Sequence, residues 1–275
     1  MGIFQDNFSS LSELERLAAM AHDPVRVYEL GADQWPLAMM ACALIASNDE
    51  EKQQANLAIY PIFAEKTTPA ARKASLAQFT RFISARKGEG WMALMPYATE
   101  EPDAALSRRA ALSMATLAQP GPQEKLAGVQ ALVEQLRTNP EAPVTLLEAI
   151  LSMGDMRVLP LLKPLEHLAP ERLESLLCRM SVAANRPACS WVLSLIALHP
   201  TVLAEPATSA LCRMAASATC VLDVVMPVPT WAFARPDVQP LHGWTRSEYF
   251  ARMRAELEPH LTDAQMVRIK AAFAD

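Results

Sequence analysis

Proline removes a backbone hydrogen bond inside a helix but suits its first turn, where the missing N–H would have no partner. This chain carries 21 prolines and only 8 glycines. Several prolines stand next to a capping side chain, as in Asp23-Pro24, Thr68-Pro69, Asn139-Pro140 and Asn185-Arg186-Pro187. Read as helix starts, they imply a chain of helices with sharply marked N-termini. Further starts follow from the capping-box pairs Ser10 with Glu13, Thr245 with Glu248 and Thr262 with Gln265. Leu261 and Met266 are spaced for a hydrophobic staple at the last of these. Strand signals are nearly absent, because Ala, Leu, Met, Glu, Gln and Arg dominate most segments and period-two β-branched runs are missing. The fold class is all-α.

Apolar residues recur at three-and-four spacing in Leu126, Val129, Leu132, Val133 and Leu136. The same spacing holds for Leu11, Leu14, Leu17, Ala18 and Ala21, and for Tyr249, Phe250, Met253 and Leu257, so each set makes one buried helical stripe. Pro36, Pro69, Pro102, Pro140, Pro170 and Pro206, taken as hairpin starts, lie 33, 33, 38, 30 and 36 residues apart. Helical-repeat units have periods of roughly 33 to 47 residues, and each buries its apolar face only against its neighbours. The expected architecture is a right-handed α-solenoid of stacked hairpins; the alternative is a non-repetitive bundle. One continuous domain is expected, with repeats over 1–226, a Pro- and aromatic-rich loop over 227–244, and a capping hairpin over 245–275.

One stretch, Leu146 to Leu165, resembles a HEAT-type unit, in particular its lyase-associated variety. An apolar helix ends at Gly154-Asp155, Arg157 follows, and Val158, Pro160 and Leu162 belong to a second helix that packs back. Gly154 suits a left-handed C-cap and Asp155 an N-cap. The resemblance covers about one unit and implies a HEAT-like solenoid of the armadillo type. A tetratricopeptide unit is the rival, since Asn139-Pro140-Glu141-Ala142 followed by Gly154-Asp155 also fits it, but Leu159 stands where that family needs a small residue.

The net charge of −5 gives no general pull toward phosphate backbones or anionic membranes. The longest apolar runs, 37–46 and 188–198, are shorter than the roughly 18 to 20 residues that span a bilayer. The opening residues lack a basic stretch followed by an apolar core, so a cytoplasmic protein is expected. Cys42, Cys178, Cys189, Cys212 and Cys220 include no Cys-x-x-Cys pair and read as reduced core thiols. His22, His167, His199, His242 and His260 are dispersed in no metal-binding pattern and read as helix-end or surface residues. Phosphate-loop, dinucleotide-binding and nucleophile-elbow motifs are missing. Asp49, Glu50 and Glu51 read as the acidic first turn of a helix. No catalytic residue, metal site or cofactor is assigned.

Two regions stand out. Between Ser181 and Ala234 the only formal charges are Arg186, Glu205, Arg213 and Asp223, so these helices either lie at the centre of the stack or expose an apolar surface for a partner or a second copy. Residues 226–244 interrupt the helical pattern with Pro227, Pro229, Pro236 and Pro240. They concentrate Trp231, Phe233, Arg235, His242 and Trp244, types enriched where proteins bind. These five are the candidate binding residues; the competing reading is that the aromatics pin the loop onto the last repeat. The first functional expectation is a non-catalytic protein-interaction module: an adaptor, an inhibitor, or an immunity or accessory scaffold. The second is a nucleic-acid-binding protein or an enzyme resembling the helical-repeat DNA glycosylases. Its support would be the helix of Arg72, Lys73, Arg81, Arg86 and Lys87, with Trp91, Arg81 and Arg86 as candidates.

Overall fold

The structure is a computed structural model that describes residues 11–45, 50–85, 87, 88, 90–117, 126–217 and 245–274. Among them all regular structure is helical, and no helix is long and apolar enough to cross a membrane. The chain divides into two compact units, residues 1–120 and 121–275.

The first unit contains α1 (Leu11–His22), α2 (Trp35–Ile45), α3 (Glu50–Lys66), α4 (Pro69–Ala85), α5 (Met95–Thr99) and α6 (Ala104–Leu117). Short 3-10 turns, Arg26–Glu29 and Trp91–Leu94, join some of them. α2 packs on α1, α3 and α4; α3 packs also on α1 and α5; α6 packs on α4 and α5. Leu17, Ala18 and Ala21 of the expected stripe are buried. The centre is aromatic: Trp35, Tyr60, Phe63, Phe79 and Tyr97 are fully buried. Tyr60 meets Phe63 and Tyr97 edge-on at centroid separations of 5.2 and 4.9 Å. Such pairs add about 0.5–1.5 kcal/mol each beyond the area they bury.

The second unit contains α7 (Ala127–Thr138), α8 (Thr145–Ser152), α9 (Leu159–Leu162), α10 (Pro170–Arg179), α11 (Arg186–Leu198), α12 (Pro200–Ala216), α13 (Arg246–Leu257) and α14 (Asp263–Ala272). Two 3-10 turns, Met156–Val158 and Lys163–His167, flank α9. α12 packs on α10, α11 and α14, while α11 packs also on α8, α9 and α13. The α7 stripe Val129, Leu132, Val133 and Leu136 is buried, as are Tyr249, Phe250, Met253 and Leu257 of α13. Both C-terminal capping boxes form: Glu248 N donates to Thr245 Oγ1 and Gln265 N to Thr262 Oγ1, with the reciprocal bonds present. Tyr249 stacks on Phe273 at 6.3 Å across this hairpin.

The prolines behave less uniformly than expected. Pro69, Pro170 and Pro187 lie in first turns, with Thr68 and Asn185 accepting hydrogen bonds from the starts of their helices. Pro206, taken as a hairpin start, lies inside α12, which begins at Pro200. The buried series Leu203, Ala207, Ala210, Leu211 and Met214 runs through that position, so burial outweighs one lost backbone bond. Asn139 spends its side chain on Glu141 N in a turn, and α8 begins only at Thr145. Asp23 accepts from Val25 N and Arg26 N and starts a 3-10 turn, not an α-helix.

In the HEAT-like stretch, Gly154 has φ of +67° just after α8, a left-handed position where Gly is unstrained. Asp155 accepts from Arg157 N at 2.9 Å and from the Arg157 guanidinium, Nη2 at 2.7 Å. The expected second helix is instead 3-10, four residues of α, then 3-10 again. Pro160 and Pro164 remove the N–H groups a continuous helix would need there, and α9 packs on α7 and α11.

Candidate functional site

All five candidate binding residues, Trp231, Phe233, Arg235, His242 and Trp244, lie outside the described residues. Their flanks are described. The chain enters 218–244 from α12, where Ser217 N donates to Met214 O. It leaves through Thr245, whose capping box starts α13. Both flanking helices are held: Arg268 Nη1 of α14 reaches Glu205 Oε1 of α12 at 2.6 Å, and Gln265 Nε2 reaches Glu205 Oε2 at 3.2 Å. The Arg268 contact, then the one from Gln265, holds the Glu205 carboxyl below its ordinary range.

The charge-poor segment is described as far as Ser217. α11 buries Ala188, Cys189, Trp191, Val192, Leu195 and Ile196 among α8, α9, α12 and α13, so contact on several sides accounts for its lack of charge. Asn185 Nδ2 donates to Leu151 O at 3.0 Å, and Ser181 N to the buried Glu148 at 2.6 Å, which tie the entry to α11 back onto α8. Leu198 and Val202, at the turn into α12, are about half exposed.

The basic helix α4 is not uniformly solvated, as its charge pattern suggested. Lys73 and Arg81 are exposed and Lys87 follows on the surface, but Arg72 is buried. Its Nε and Nη2 donate to Glu101 at 2.9 and 3.1 Å, and its Nη1 to the carbonyls of Ala64 and Thr67 at 2.9 and 2.7 Å. Glu101 also accepts from Tyr60 Oη at 2.7 Å and Asp103 N at 2.9 Å. Tyr97 Oη pairs with Ser75 Oγ at 2.8 Å alongside. Burial pushes the Tyr60 and Tyr97 phenols above their ordinary range. Both carboxylate oxygens and all three guanidinium nitrogens are engaged, so this cluster locks α3, α4 and the α5–α6 connection together. Trp91 is half-buried in its 3-10 turn, and Arg86 lies outside the described residues. Nothing in the sequence flagged the cluster, because Tyr60, Arg72 and Glu101 are far apart in the chain.

A Ser/Glu/His grouping occurs in the second unit. Ser194 Oγ donates to Glu166 Oε1 at 2.7 Å, and His199 Nε2 donates to the Glu166 carbonyl at 3.2 Å. The imidazole faces a backbone carbonyl rather than the hydroxyl, so this contact sets no base beside Ser194. His22, His167, His199 and His260 all lie at helix ends or just beyond them, while His242 is outside the described residues. Among the described residues no group of three or more His, Cys, Asp or Glu could hold a metal ion. Glu51 is an exposed first-turn residue of α3 and Asp49 lies outside. Cys42 and Cys189 are buried, but Cys178 is exposed and Cys212 half-exposed, so the thiols are not uniformly core residues. The polar face of α10 holds Cys178 between Glu174 and Arg179. Cys220 lies outside the described residues.

The largest exposed apolar groups of the first unit are Val25 and Tyr28, on one turn, with Lys66 Nζ 5.9 Å from the Tyr28 ring. None of the family models, curated proteins or solved structures compared with this chain matches it.

Proposed function

We propose that this chain is a non-catalytic protein-interaction module, a cytoplasmic adaptor, inhibitor, or immunity or accessory scaffold, with hairpins stacked in the HEAT manner. Contacts within the second unit support the stacking. α11 and α12 pair as a hairpin, α13 and α14 as the next, and each helix of the first hairpin also meets its counterpart in the second. That nearest-neighbour pattern is how helical repeats bury their apolar faces. Affinity would come from preorganisation, since a packed stack presents side chains at little ordering cost.

The observation that carries the reading is the concentration of Trp231, Phe233, Arg235, His242 and Trp244 in one Pro-rich segment, bounded by two helices that the Glu205–Arg268 contact and the capping hairpin hold in place. A concave surface of the stack would complete the interface. Capture from native lysate at low and high salt tests it, with Trp231→Ala/Trp244→Ala alongside and circular dichroism as the folding control. A discrete protein retained at high salt by the parent and lost by the folded variant is expected. Recovery of salt-sensitive nucleic acid alone would overturn the reading.

A further inference from the structure

We draw no further inference here: the strongest candidate, the exposed apolar patch of Val25 and Tyr28 beside Lys66 on the turn after α1, carries nothing because no feature of the structure shows what covers it.

Discussion

Replacing Glu101 with Ala removes four hydrogen-bond partners at once: two guanidinium donors of Arg72, the Tyr60 hydroxyl and Asp103 N. Arg72 is 4% exposed and the Glu101 side chain 0%, so the stranded guanidinium cannot recover its hydration. Breaking a buried pair from one side costs about 3–5 kcal/mol, a large fraction of the stability of a single domain. At a urea slope of about 2 kcal/mol/M, that lowers the unfolding midpoint of the first unit by about 2 M. Urea unfolding followed by circular dichroism measures it, and Glu134→Ala is the control. Glu134 also meets an arginine at short range, Arg137 Nη2 at 2.6 Å, but both side chains are about half exposed, and such a pair contributes about 0.2–1 kcal/mol. The double variant Arg72→Met/Glu101→Leu should fall well short of the sum of its single losses, because neither charge is then left alone. Equal small losses for Glu101→Ala and Glu134→Ala, below about 1 kcal/mol, would refute the assignment of the cluster as the lock of the first unit.

Thiol alkylation of the native protein should modify Cys178 rapidly and leave Cys42 and Cys189 intact until unfolding; burial pushes the Cys42 thiol up to about 12. Peptide mass spectrometry reads the order, and equal native rates for Cys42 and Cys178 would contradict the burial. Burial also raises the phenols of Tyr60, Tyr97 and Tyr249 above their ordinary value of 10.0. Their contribution to stability is therefore complete below about pH 10 and lost as pH rises through the folded values. Ionisation of these three of the four tyrosines should coincide with loss of helical signal in an alkaline titration, and full phenolate absorbance with the helices intact would be the contrary result. Lys87 has φ of +55° at the end of α4, where Lys87 N reaches Ser84 O and Gly88 N reaches Ile83 O, the paired bonds of a Schellman cap. Relief of a left-handed side chain, less the added freedom of the unfolded chain, makes Lys87→Gly stabilising by about 0.5–1 kcal/mol in thermal or urea unfolding; a destabilised variant would show that the cap is held by Lys87 itself.

Local chemistry was readable from the chain wherever one turn or one stripe decides the outcome. The stripes of α7 and α13, the capping boxes at Thr245 and Thr262, the Asn185 cap and the Gly154-Asp155 break all involve residues within a few positions of each other. What escaped depends on distant partners. Arg72 looks like a surface charge until Glu101, 29 positions away, is placed beside it. Pro206 looks like a start until the buried stripe of α12 is seen to pass through it. Segment 158–167 reads as one helix by composition, but Pro160 and Pro164 divide it, and its neighbours α7 and α11 hold the pieces. Cys178 reads as core by residue type, whereas its helix turns that position to solvent. The aromatic segment 227–244 was visible by composition alone, because no helical period runs through its prolines.

The most direct test of the interaction reading is to place a photo-crosslinking phenylalanine analogue at Trp231 or Trp244 and irradiate the protein in its native cytosol. The account predicts one discrete adduct with another protein, at high as well as low salt. Crosslinks confined to this chain's own second unit would contradict it and make these aromatics the pins of a packed connection.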